Sequence, residues 1–231
     1  MAADPFSNEV SRRVWAEKYR LTGDDGSAEA DIGESWRRVA RALAAVEERD
    51  RPLWESRFFE ALSDFRFLPG GRIQAGAGSG REVTLFNCFV MGTIEDSLDG
   101  IFEGLKQGAV TMQQGGGVGC DFSTLRPAGS PARSSGAIAS GPVSFMRIWD
   151  SMCATMISGG NRRGAMMATL RCDHPDNETF VNAKRDPREF RNFNLSVLVT
   201  DAFIAAVRAD AEWPLVFPVH GLDGAAADGD C

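Results

Sequence analysis

The chain has 231 residues, 43% of them hydrophobic and 25% charged, so it reads as globular, with room for one large domain or two small ones. Lys and Arg number 25 against 32 Asp and Glu, and the net charge of −7 argues against a nucleic-acid groove, which draws on a basic surplus. No apolar run approaches the roughly 18 residues of a spanning helix, and the opening MAADPFSNEV lacks a signal-peptide core, so the expectation is a soluble, cytoplasmic protein with no membrane partner.

Roughly the first 65 residues predict helices. In Glu34–Arg49, Trp36, Val39, Leu43 and Val46 recur at helical spacing, and Arg51–Phe65 repeats the pattern with Leu53, Trp54, Phe58 and Leu62. Asp24, Asp25 and Gly26 form a polar break ahead of them, and Phe67–Arg81 reads as a glycine-rich connection. From there the pattern alternates. Val83–Met91 reads as a strand, and Ser97–Gln114 as a helix with Leu98, Ile101, Phe102, Leu105 and Met112 on one face. Gly117–Phe122 follows as a short strand, Gly141–Ser158 as a helix, Met166–Arg171 as a strand and Asp176–Lys184 as a helix. Asn194–Val199 predicts a strand, followed by a helix capped by Asp201, and Trp213–Phe217 one strand more. Alternating strands and helices imply a parallel sheet with crossover helices. The last ten or so residues, rich in Gly, Asp and Ala, read as unstructured.

Five cysteines (Cys88, Cys120, Cys153, Cys172 and Cys231) stand without a CxxC, and the only histidines are His174 and His220, so no zinc site of ordinary spacing is available and no metal is expected. Cys88 lies within the apolar run Leu85–Val90, a context that predicts a buried structural thiol; Cys120, Cys153 and Cys172 read the same way. Gly115–Gly119 is the densest glycine run. Without Gly-Lys-Ser/Thr it is no Walker loop, and it is equally a tight turn or a loop that lets backbone amides approach a phosphate. Two loops, Arg126–Arg133 and Ser158–Gly164, carry arginines between turn residues. Arginine's planar fork suits phosphate, and a solvated helix end explains the second loop as well.

In order, the segments that follow resemble the large catalytic subunit of ribonucleotide reductases, and within it the adenosylcobalamin-dependent group: Phe67-Leu68-Pro69, Asn87-Cys88-Phe89-Val90, Asp96–Phe102, Gly115–Gly119, Phe122–Pro127, Ser140–Met146, Gly159–Ala165, Asp173-His174-Pro175-Asp176 and Asn192–Val197. The likeness covers roughly residues 60–215. It implies an α/β fold: an amino-terminal helical region, residues 1–80, followed by about the first half of a ten-stranded α/β barrel, residues 81–218, with 219–231 a disordered tail. It implies reduction of ribonucleotides to deoxyribonucleotides by radical chemistry, with adenosylcobalamin as cofactor in the complete enzyme and a thioredoxin-like dithiol as reductant.

By the same resemblance Cys88 is a catalytic redox thiol. Asn87, Cys88, Gly71, Gly117 and Arg162 face a ribonucleoside di- or triphosphate. Asp96, Arg126, Arg133 and Ser158 face a deoxynucleoside triphosphate effector, and the complete enzyme is a homodimer. Gly70-Gly71-Arg72-Ile73 replaces the family's Asn-Ser-Pro-Thr, and Ile157-Ser158 replaces a Lys-Gln found in some members. The family's Asn-x-Cys-x-Glu loop, the redox partner of Cys88 and the carboxy-terminal cysteine pair have no counterpart here, so the chain reads as an amino-terminal fragment. Two alternatives stand beside this reading: a non-catalytic nucleotide-binding module derived from the family, and the family's metal-cofactor branch.

Overall fold

The structure, a computed structural model, describes residues 5–23, 25–131, 138–156 and 164–218. The tail expected at 219–231 lies outside the described residues. The chain divides into two compact units, Met1–Asn87 and Cys88–Cys231.

The first unit is helical: α1 Glu9–Lys18, α2 Ile32–Ala44, α3 Arg51–Leu62, a 3-10 turn Ser63–Phe65, and α4 Gly71–Gly76. Asp31 caps α2 by accepting from the Glu34 amide, while Glu34 accepts from the Ala30 amide, a reciprocal arrangement that satisfies free amides at a helix start. Val39, Ala40, Leu62 and Ala77 form the core, with Trp36, Leu43, Phe58 and Ile73 packed on it. Two expectations change here. The helix expected over Glu34–Arg49 ends at Ala44, which leaves Val46 82% exposed. The connection Phe67–Arg81 contains α4, whose carbonyls at Gln74 and just beyond its end at Ala77 accept from the Arg38 guanidinium. A cation at a helix C-terminus compensates for the weak helix propensity of Gly71 and Gly76.

Arg38 is itself paired with Glu29, Nε to Oε1 at 2.7 Å, and both side chains are about nine-tenths buried. Burial raises the Glu29 carboxyl. Hydrogen bonds from Arg38, Ser35 and the Leu21 amide, with the Arg38 charge, outweigh that effect and hold it below the ordinary glutamate value.

The second unit runs β1 Cys88–Val90, α5 Leu98–Gln113, β2 Gly117–Asp121, α6 Pro142–Thr155, β3 Met166–Arg171, α7 Asn177–Asn182, β4 Phe193–Leu198 and α8 Asp201–Ala209. The strands form one parallel sheet in the order β1-β2-β3-β4, each joined to the next through a helix. Val118, Cys120, Met166, Ala168, Leu170 and Phe193 point to one face and are buried with Ile101, Met112, Met146, Trp149 and Phe180 of the helices. Phe122 packs edge-on against Trp149 at 5.4 Å between centroids and against Phe193 at 6.3 Å.

Side chains alternate across a strand, so the partners of these residues lie on the opposite face. There Val90 is 96%, Met167 41% and Leu198 42% exposed, and no described helix covers them. Two strand expectations and one helix cap shrink or shift. Of Val83–Met91 only Cys88–Val90 stands in register with β2, the Met91 amide adding a last bond to the Gly119 carbonyl at 2.9 Å. Trp213–Phe217 is irregular, tied by isolated bonds from Trp213 Nε1 to the Cys172 carbonyl and from the Val216 amide to the Asp173 carbonyl. Thr200, not Asp201, caps α8, accepting from the Phe203 amide at 3.2 Å.

Candidate functional site

Cys88 opens β1 and its thiol is exposed, whereas Cys120, Cys153 and Cys172 are buried. The three buried thiols behave as the sequence predicts; Cys88 does not, because its face of the sheet is the one without helices. In the register Cys88 stands level with Gly117, and the next row on that face is Val90, Gly119, Met167 and Asn194. An accessible thiol therefore sits beside a strand that presents bare backbone. Burial drives the Cys120 thiol up to about 11, and burial with the Asp150 charge raises Cys153, so neither is suited to thiolate chemistry at neutral pH.

Asn87, the residue before Cys88, closes the helical unit and is exposed. Gly71 is the first residue of α4. A Cβ on its neighbour Gly70 would lie 3.5 Å from Asn87 Nδ2, and one on Gly71 would lie 3.1 Å from the Tyr19 hydroxyl. The two substrate candidates of this unit thus share one neighbourhood.

The structure brings Asp96 and Arg126, 30 residues apart, into direct contact. Asp96 precedes Ser97, which caps α5 by accepting from the Gly100 amide at 3.0 Å. Arg126 follows β2 in the turn that Phe122 and Leu125 anchor in the core. Arg126 Nε donates to Asp96 Oδ2 at 2.8 Å and the Arg126 amide to Oδ1 at 3.2 Å. Its Nη2 and Nη1 donate to the carbonyls of Asp96 at 3.4 Å and Pro131 at 3.1 Å. A guanidinium has five N–H groups, and among the described residues two of them have no partner. Asp96 therefore orients the arginine, a residue type whose planar fork suits anions. Arg133, Ser158 and Arg162 lie outside the described residues.

A second cluster escaped the sequence. Asp121 Oδ1, at the end of β2, accepts from the Ser123 amide at 3.1 Å, Ser123 Oγ at 2.6 Å and Thr169 Oγ1 of β3 at 3.1 Å, and Ser123 Oγ accepts from the Arg171 amide at 2.9 Å. The Asp-x-Ser pair after a strand is the signal that points to such a turn. Among the described residues no group of three or more His, Cys, Asp or Glu could hold a metal ion.

A helical amino-terminal region followed by parallel strand–helix units, with a thiol and a glycine strand on the open face, defines an α/β protein built on a parallel sheet. Residues 86–228 match the family "Ribonucleotide reductase, barrel domain" and residues 6–82 match "Ribonucleotide reductase, all-alpha domain". The chain belongs to the ribonucleotide reductase large-subunit family, and its parallel sheet is part of that barrel. It is 44% identical over 213 residues to the vitamin B12-dependent ribonucleoside-diphosphate reductase of Mycobacterium tuberculosis, covering 90% of this chain and 30% of that protein. With the protein of the same description from Thermoplasma acidophilum it shares 40% identity over 164 residues, 71% of this chain and 21% of the relative. With the ribonucleoside-diphosphate reductase large subunit of monkeypox virus it shares 29% over 177 residues, 74% of this chain and 23% of the relative. The chain spans less than a third of the length of each of these relatives. No helix among the described residues is long and apolar enough to cross a membrane.

Proposed function

We propose that these residues belong to an enzyme that reduces ribonucleotides to deoxyribonucleotides by radical chemistry, supplying precursors for DNA. The observation that carries the reading is the exposed Cys88 thiol on the uncovered sheet face, level with Gly117 and directly after Asn87. Replacing the ribose 2′-hydroxyl by hydrogen takes two electrons and two protons and releases the oxygen as water. Two thiols supply both and end joined as a disulfide. Cys88 is one of them, and a thioredoxin-like dithiol restores it by exchange.

The relatives' names point to adenosylcobalamin, which when bound supplies the radical that starts the reaction. The residues present fit a large group near the thiol. Gly117 and Gly119 leave β2 bare on the open face, and Val90 and Met167 line it with apolar surface that would face the cofactor. This chain's residues hold the substrate and keep water from it. Asn87, Gly71, Gly117 and Arg162 contact a ribonucleoside di- or triphosphate, the diphosphate being the form in the relatives' names. Asp96, Arg126, Arg133 and Ser158 form the site of a deoxynucleoside triphosphate effector, with Asp96 holding Arg126 and the fork of Arg126 meeting phosphate. The layout is a helical region over residues 1–80, half-barrel over 81–218 and tail over 219–231, and the complete enzyme works in the cytoplasm as a homodimer.

The test is Cys88→Ser in the full-length protein, assayed for multiple-turnover reduction of CDP with adenosylcobalamin and a dithiol. Turnover is lost while circular dichroism is unchanged. Cys153→Ser, the buried control, lowers stability and keeps turnover. Undiminished turnover in Cys88→Ser removes the thiol from the chemistry.

A further inference from the structure

Arg126 sits at the base of a short stem. The Gly129 amide donates to the Ala139 carbonyl at 3.0 Å, the Ala139 amide to the Ser130 carbonyl at 2.8 Å, and Pro131 bridges Ile138 in antiparallel fashion. On one side the base is held by the α5 approach: Thr124 Oγ1 donates to the Ile94 carbonyl at 2.6 Å, and Arg126 grips Asp96. On the other it is held by two residues between β3 and α7. His174 Nε2 lies 2.9 Å from the Leu125 carbonyl, and Asp176 Oδ2 accepts from the Ala128 amide at 2.9 Å.

The His174 ring is 2% exposed, and the hydrogen bonds assign its tautomer. The Asp176 amide donates to Nδ1 at 3.0 Å, so Nδ1 carries a lone pair and the proton resides on Nε2, where it is given to Leu125. Both ring nitrogens are therefore engaged. Gly141, at φ +76°, leaves room for the second bond: a Cβ there would stand 2.5 Å from Asp176 Oδ2 and 2.8 Å from the Ala128 amide nitrogen. The backbone groups so pinned, at Leu125 and Ala128, flank Arg126.

We infer that His174 and Asp176 are positioning residues for nucleotide recognition, fixing the Leu125–Ala128 backbone so that the fork of Arg126 points at the triphosphate of the effector. The inference rests on the effector reading above and adds two residues that touch no ligand. Packing alone needs a buried apolar ring. It does not need a histidine with one tautomer, or a carboxylate that reaches across to a backbone amide 48 positions earlier.

The experiment measures binding of dATP, dGTP, dTTP and dCTP to the full-length protein by calorimetry. Asparagine keeps an acceptor where Nδ1 stands but cannot reach Leu125; glutamine places an N–H where Nε2 stands. His174→Asn and Asp176→Ala weaken the bound nucleotide roughly tenfold, about 1.4 kcal/mol, while His174→Gln stays within about threefold of wild type. Phe193→Leu, a buried change elsewhere in the same unit, lowers the melting temperature and leaves affinity unchanged. Wild-type affinity in His174→Asn and Asp176→Ala, alongside lost binding in Arg126→Ala, overturns the inference and leaves the effector reading standing. Affinity that merely follows melting temperature through all four variants also overturns it. A wild-type protein that binds none of the four nucleotides overturns the effector reading and the inference with it.

Discussion

Replacing Arg38 by methionine keeps most of the side-chain volume and removes a buried cation that serves four acceptors. Its Nε holds Glu29 at 2.7 Å, and its terminal nitrogens hold the carbonyls of Ala77, Gln74 and Tyr19. With Arg38 only 9% exposed and Glu29 10%, water does not readily take over these contacts. Breaking a buried pair by removing one partner costs about 3–5 kcal/mol, most of it from the uncompensated charge left behind. The loss falls on the helical unit, because α4 loses its terminal cation. Urea unfolding followed by tryptophan fluorescence reads this unit through Trp15 and Trp36; the Trp15 Nε1 donates to Ser35 Oγ at 2.9 Å.

The pH dependence gives a sharper test. In the wild type Glu29 is held below its ordinary value, so its contribution is complete above the unfolded glutamate value of about 4.3 and is lost as pH falls through the lower folded value. In Arg38→Met burial acts on Glu29 without the cation, and acid relieves the stranded charge. The gap between wild type and variant is therefore widest at neutral pH and narrows below about pH 4. Adding Glu29→Gln to Arg38→Met recovers part of the loss. A gap below about 1 kcal/mol, or one that stays constant from neutral to acid pH, would refute the reasoning.

Among the described cysteines, alkylation of the native protein at pH 8 with peptide mapping modifies Cys88 first. Cys120, with its thiol near 11, has a thiolate fraction on the order of one in a thousand and reacts only on unfolding, as does the buried Cys153. Equal rates for Cys88 and Cys120 contradict the exposure of the open face. Residues 1–231 expressed alone associate, because β1 and β4 each have a free edge among the described residues and Val90, Met167 and Leu198 expose apolar surface. A monodisperse monomer by light scattering counts against this.

The helices α5 and α6 and strand β3 were legible because each buries a periodic apolar face within this chain: Ile101 and Met112, Met146 and Trp149, Met166, Ala168 and Leu170. Where the decisive partner is elsewhere, the pattern misleads. The apolar run around Cys88 looks like a buried strand, because apolar alternation records a face meant to be covered and not whether this chain supplies the cover. The α4 helix escaped notice because its glycines oppose it locally and Arg38, more than 30 residues earlier, supports it from afar. For the site, the family motifs point to Cys88, Gly117, Asp96 and Arg126 as candidates. The Asp96–Arg126 pairing is a tertiary contact that no local spacing encodes. His174 and Asp176 lie inside a family motif, but their partners, the Leu125 carbonyl and the Ala128 amide, are tertiary contacts that the motif does not encode.

Two glycines of the Gly115–Gly119 run are there for different reasons. A Cβ on Gly116 would stand 2.7 Å from the Phe89 ring and 3.0 Å from Thr111, so the fold itself forbids a side chain there. On Gly119 the nearest atoms, of Met167 and Phe89, would be 3.8 Å away, an ordinary contact that an alanine would make without strain. Yet Gly119 lies in the middle of the uncovered face, between Val90 and Met167. Its missing side chain is no concession to packing. It is vacant floor, and a single methyl group placed on it would be felt by whatever rests on that face long before it was felt by the fold.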